Sequence, residues 1–176
     1  MAVAATLTGI AIPVIGGTVE EIRLAGAARH IAARVAAARI DAIRRSTTVG
    51  LRFVATGSDY SYITYVDTNG NGLRTTEITS GVDVALSARE CLHDKYPGAE
   101  FGLIAGIPDL DGGSGSADGV RVGTSRILSL SPNGSATSGT LYVHGRRGQY
   151  AVRILGATAR TRVFAYDTGA RRWVSR

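Results

Sequence analysis

The hydrophobic period of this chain changes once, near Val49, and that change limits the folds open to it. In "TVEEIRLAGAARHIAARVAAARIDAIRRSTTVG", Leu24, Ala28, Ile31, Val35, Ala38 and Ala42 recur at three- and four-residue spacing, while Arg23, His30, Arg34, Asp41 and Arg45 fall on another side. This is the pattern of a long amphipathic helix, expected to end between Arg45 and Thr48, where β-branched residues take over. From Val49 the period is two. "VGLRFVA" and "YSYITYV", bounded by "TGSD" and "DTNGNG", read as a hairpin. "VDVALS", "GVRVG", "RILSLS", "GTLYVHG", "QYAVRILG", "RTRVFAYD" and "RRWVS" follow as short runs separated by Gly, Pro, Asn, Asp or Ser. Such spacing predicts antiparallel sheet rather than crossover βαβ units. The expected fold class is therefore α+β: a long N-terminal helix packed through Leu24, Ile31 and Val35 on an antiparallel β-sheet domain. Two segments resist assignment, "ARECLHDKYPGAEFG" and "GIPDLDGGSGSADG" at 106–119. The glycine and serine of the second imply a mobile loop.

The chain opens with "MAVAATLTGIAIPVIGG", which holds no charged residue. A membrane-spanning helix needs about 20 apolar residues, whereas this run reaches only to about Ile15 and contains Pro13. A secretory signal begins with basic residues and ends in a small-residue cleavage site, and no Lys or Arg precedes Glu20. What remains is an apolar helix kinked at Ile12-Pro13. Thr18 and Glu21 have capping-box spacing, which allows a break near Gly16-Gly17. The organisation expected is an apolar segment at 1–17, an amphipathic helix at 18–48 and an antiparallel β domain at 49–176.

At 176 residues with 44% hydrophobic content, the chain can bury a real core as one domain plus an appendage. Its net charge of +6 is almost wholly arginine, since Lys95 is the only lysine. That charge opens the way to nucleic acid, anionic lipid or acidic partners, and the guanidinium fork suits phosphate. The single cysteine, Cys91, excludes an internal disulfide.

"DTNGNG" matches the opening of a calcium loop, with Asp67, Asn69 and Asn71 offering oxygens and Gly72 the turn. Position twelve, however, is Ile78, and Glu77 stands one residue early. The same residues suit a tight hairpin turn, so the turn is the preferred reading and no metal or cofactor is expected. Cys91 and His93 have the residue types of a thiol nucleophile and its base, but i and i+2 side chains diverge on a strand. No catalytic residue and no small-molecule substrate is expected. His30 reads as a polar-face helix residue and His144 as a strand residue beside a turn. Near the chain end, Arg153, Arg160, Arg162, Arg171, Arg172 and Arg176 interleave with Phe164, Tyr166 and Trp173, a combination able to hold phosphates and stack bases. Arg160, Arg162, Arg171 and Arg172 form the candidate DNA-binding set. The alternative is a solvated strand face backed by Val163 and Ala165.

An apolar helix half followed by an amphipathic half and a β-rich domain resembles type IV pilin-like proteins. More closely, "RLAGAARHIAARVAAARIDAIRRSTTVGLRF" resembles the helix-to-first-strand segment of type II secretion minor pseudopilin H and the FimT-like minor pilins. Their alanine-rich helix closes on a motif matched here by Ala38, Arg39, Ala42, Ile43, Arg44 and Arg45. "YVDTNGNG" is similar to the acidic, glycine-rich turn after the family's second strand, and "SGTLYV", "YAVRIL" and "ARTRVFAYD" to its closing strands. The resemblance covers nearly the whole chain and is weakest from Ser80 to Gly119.

The resemblance implies a structural, non-enzymatic subunit of a type II secretion or type IV pilus filament, acting at or near the tip in assembly. Other pilins or pseudopilins would be its partners in a hetero-oligomeric filament. The N-terminal helix would hold the full-length protein in the bacterial inner membrane as a single pass, with the globular domain in the periplasm or outside the cell. Ile10, Ile12, Pro13 and Ile15 would belong to the filament and membrane helix. Family members begin with a basic leader and a G-F-x-x-x-E processing site, including an aromatic residue that becomes methylated. They then reach an A-I-P where Ala11-Ile12-Pro13 stands here. The expectation is that Met1 is a start placed too far downstream or a boundary within a longer product, with a diverged paralogue as the other reading. Some FimT-like pilins bind DNA for uptake through a G-R-x-R motif. Ala159-Arg160-Thr161-Arg162 is similar with alanine for the glycine, which makes a DNA-uptake minor pilin the alternative function.

Overall fold

The computed structural model describes residues 2–113 and 115–176, with side chains in the first helix from Val19 onward. That helix, α1, runs Ala2–Arg45 and is continuous through Gly16-Gly17. The side chains of Ile10, Ile12, Pro13, Ile15 and Thr18, and with them the proposed kink and capping box, lie outside the described residues. Arg44 and Arg45 in the last turn match the negative end of the helix dipole. Ser46, at φ 53°, turns the chain left-handed, and Thr47 N–H closes on Ala42 O at 3.2 Å.

The hairpin β1 (Val49–Thr56) and β2 (Asp59–Val66) follows, its two-residue turn using Gly57 at φ 64°. Then come α2 (Thr75–Ser80), β3 (Val84–Ala85), β4 (Glu90–Cys91), α3 (Leu92–Lys95) and β5 (Glu100–Phe101). The chain closes with β6 (Val120–Val122), β7 (Ile127–Leu130), β8 (Gly139–His144), β9 (Gln149–Leu155), β10 (Arg160–Asp167) and β11 (Arg172–Ser175). Of "VDVALS" only two residues form a strand, and α2 and α3 are helices that the period does not announce.

All strand pairs are antiparallel. One sheet has the order β3-β2-β1-β7 with β4 beside β2, and the other β11-β10-β9-β8-β5 with β6 beside β8. Leu24, Ala28, Ile31, Val35, Ala38 and Ala42 are all buried, joined by Ala27, in one core with Leu51, Leu128, Val143 and Val152. Packing of α1 on antiparallel sheet is thus the expected one. Phe53, Tyr60 and Tyr62 of the first sheet pack against Phe101 of the second, with Phe53 and Phe101 edge to face at 5.6 Å. Glu20 of α1 accepts the Arg146 N–H at 2.6 Å, tying the helix to the β8–β9 turn.

The second sheet has its own small core on the face away from α1. Leu103, Tyr142 and Ala151 pack there with Ile107, Leu110, Phe164 and Trp173. This core overturns the mobile-loop expectation for 106–119. Leu110 N–H donates to Tyr142 Oη at 2.9 Å and Trp173 Nε1–H to Pro108 O at 3.0 Å. Asp109 accepts the backbone N–H groups of Asp111 and Gly113. The apolar Ile107 and Leu110, rather than the glycines, decide how this segment sits.

Candidate functional site

Opposite its buried face, α1 carries a second stripe at three- and four-residue spacing: Ile22, Ala25, Arg29, Ala33, Ala36, Ile40 and Ile43. Ile22 is 66% exposed, Ile40 56% and Ile43 48%. Ala33 and Ala36 are exposed as well, and small residues between isoleucines allow another helix to approach closely. Near its C-terminal end the stripe borders a groove formed by Arg39, Ala159, Arg160 and Thr161. In an alanine-rich helix the buried stripe accounts for most of the period and hides this one, whose signal in the sequence is the isoleucines at 22, 40 and 43.

The arginine candidates divide. Val163 and Ala165 point to the main core, which leaves Arg160 and Arg162 exposed on the outer face of β10. The register places Arg162 beside Arg153, Arg153 beside Thr140, and Thr140 beside Arg121, a row across four strands. Arg121 binds Asp109 at 3.0 Å and lies 4.9 Å over the Tyr142 ring, and Arg153 binds Asp111. Arg160 and Arg162 have no carboxylate partner among the described residues. Arg171 and Arg172 sit at the opposite end of β10, where Arg172 pairs with Asp167, roughly 24 Å from Arg160 and roughly 17 Å from Arg162 at about 3.4 Å per strand residue. Phe164 and Trp173 belong to the small core, and Trp173 meets Tyr166 edge to face at 5.3 Å. The aromatics therefore support the sheet.

Asp67 is 3% exposed. Its carboxylate accepts the N–H groups of Asn69, Gly70 and Gly72 at 3.1, 2.8 and 2.7 Å, with Gly70 and Gly72 at φ 77° and 87°. The residues read as a calcium opening thus form a tight turn held by Asp67. Among the described residues no three His, Cys, Asp or Glu side chains converge as metal ligands.

Cys91 ends β4 and His93 lies in α3. Burial raises the Cys91 thiol pKa, and His93 faces Asp59 at 3.4 Å and Asp94 at 3.2 Å, not the sulfur. His30 is less simple than a polar-face residue. Its Nε2 is 3.1 Å from Tyr62 Oη, beside Glu90, which also binds Arg34 and Lys95. Burial and then the Lys95 charge lower its pKa. His144 Nδ1 lies 3.1 Å from Gly145 O.

A long N-terminal helix closed by one stripe onto antiparallel sheet is the α+β architecture of a pilin-like fold. The family described as type II transport protein GspH matches residues 27–158, well over half of the chain, and the chain belongs to that family. Its members are pseudopilins, structural proteins of type II secretion that assemble with other pseudopilins, and the family is not one of enzymes. No curated protein and no solved structure matches the chain. Among the described residues no helix is long and apolar enough to cross a membrane.

Proposed function

We propose that this chain is a minor pseudopilin acting at or near the tip of the secretion filament, where it helps assembly begin. The observation that carries the reading is the exposed stripe from Ile22 to Ile43, an apolar helix face that its own domain does not cover. The chain then divides as its sequence suggests. Residues 1–17 contribute apolar helix to the filament and, in the full-length protein, to an inner-membrane anchor; 18–48 carry both stripes; 49–176 form the β domain, held in the periplasm. Gold labelling of the subunit in isolated filaments tests the position. One cluster at a filament end supports the tip. Label along the length, in proportion to the major subunit, contradicts it.

A second reading, a DNA-binding minor pilin, is favoured by one observation, the exposed Arg160 and Arg162 beside the arginine row of the second sheet. Such binding would be mostly to phosphates, so log affinity should fall against log salt with a slope of about −0.9 per phosphate contacted. Duplex binding by the wild-type chain that the Arg160→Gln, Arg162→Gln double variant loses while folded supports it. No binding at low salt removes DNA as a partner.

A further inference from the structure

Two loops of this molecule treat their carboxylates differently. In the 104–119 segment Asp109, Asp111 and Asp118 each pair with an arginine. Between β2 and β3, Asp67, Glu77 and Asp83 have no cationic partner among the described residues. Asp67 is satisfied by three backbone N–H groups. The other two are not. Asp83 is 2% exposed; its Oδ2 accepts only the Arg74 N–H at 3.3 Å, and its Oδ1 is buried with no partner. Glu77 Oε2 is also buried with no partner. A buried carboxylate oxygen without a donor or counter-charge is among the costliest groups a fold can hold.

Backbone contacts bring the two residues together: the Glu77 backbone carbonyl accepts the Val82 and Asp83 N–H groups, while the Asp83 carboxylate accepts the Arg74 N–H. Glu77 Oε1 accepts Asn71 Nδ2 at 2.7 Å and Asn69 Nδ2 at 3.4 Å. A half-turn of the Asn71 carboxamide would bring its carbonyl oxygen to that position, and separations near 3 Å are those of oxygens sharing one cation at about 2.3–2.6 Å; the same turn at Asn69 requires its Oδ1 to release the Asn71 N–H that it accepts at 3.3 Å.

We propose that this loop binds a divalent cation, with calcium the best match, between the carboxylates of Glu77 and Asp83 and the carboxamide oxygens of Asn69 and Asn71. The donor set is oxygen only and carries two negative charges. It contains no Cys or His to favour zinc, and a loop of this kind can supply the irregular shell that calcium accepts and magnesium does not. Asp67 then shapes the loop instead of ligating. The carboxylate missing at position twelve of the motif comes from Glu77, one residue early, and from Asp83, which motif spacing does not reach.

The test uses the full chain stripped with chelator and titrated with calcium or magnesium chloride, read by thermal unfolding and by isothermal calorimetry. Calcium at a hundred times its Kd should raise Tm by roughly 5–10 °C, and magnesium much less. Asp83→Asn removes an uncompensated buried charge. In chelator it should therefore unfold no lower than wild type, yet lose the calcium response. Glu77→Gln should weaken calcium binding at least about ten-fold, whereas Asp111→Asn should leave it unchanged. Calorimetry on wild type tests binding even where a variant does not fold: a one-to-one heat supports a site, and its absence overturns the proposal. No heat and no rise in Tm up to about 10 mM calcium, or a response undiminished in Asp83→Asn and Glu77→Gln, would overturn it.

Discussion

The two stripes of α1 are both mostly isoleucine and alanine, the outer one interrupted by Arg29, and they have opposite surroundings. The inner one, Leu24, Ala27, Ala28, Ile31, Val35, Ala38 and Ala42, is no more than 2% exposed at any position. The outer one pairs Ile22, Ile40 and Ile43 with Ala33 and Ala36, and stands in solvent. Hydrophobicity alone does not separate them. What differs is the surface opposite: the inner stripe meets Leu51, Leu128 and Val152 of two sheets, and a helix cannot turn both faces to one domain. This uncovered face is the one proposed here to meet another subunit.

The contrast is sharpest where a charge is placed on the inner stripe. Ile31→Asp or Val35→Asp buries an unpaired carboxylate against the sheets and should cost about 4–5 kcal/mol or more. Circular dichroism should then show no cooperative melt at the wild-type temperature, and a wild-type melt would contradict the packing. A smaller effect is expected in the second core. Tyr142→Phe removes the acceptor of the Leu110 N–H and should cost about 1 kcal/mol, with faster hydrogen exchange across 104–113. Exchange unchanged from wild type would mean that this bond does not hold the loop.

Smaller again is the pH effect of the polar network beside the inner stripe. Burial and Lys95 lower the His30 pKa in the folded state, so between that pKa and the unfolded value near 6.5 the unfolded chain binds more protons. Stability from this group is therefore present above pH 6.5 and lost as pH falls through the lowered value. For Glu90, burial pushes its carboxyl pKa up, but the Lys95 hydrogen bond and the Arg34 charge bring it below the usual range. Its contribution is lost only at still lower pH. His30→Gln should flatten the upper part of the stability profile measured by denaturant unfolding, and an unchanged profile would remove His30 from the account.

The inner stripe, the change of period at Val49 and most long strands are legible in the sequence, because burial on one face imposes a period of 3.6 or 2. Features that depend on distant partners are not. The glycines and serines of 106–119 suggest freedom, and nothing local shows that Tyr142, Trp173, Arg121 and Arg153 will hold the segment. Arg160 and Arg171 look close in the chain, but strand geometry parts them, while register brings in Arg121 and Arg153 instead. The six-residue α2, stopped by left-handed Gly81, is too short for a period to develop. Asp83 reaches the Arg74 N–H only through the α2 turn.

The most direct test of the account is the outer stripe itself. The Ile40→Asp, Ile43→Asp double variant places charge on residues that the domain leaves exposed, so its stability should stay within about 0.5 kcal/mol per site of wild type. Its incorporation into the secretion filament, measured as the ratio of this subunit to the major one in purified filaments, should fall at least ten-fold. A variant that folds and is incorporated at the wild-type ratio would contradict the claim that this face joins the subunit to its neighbours.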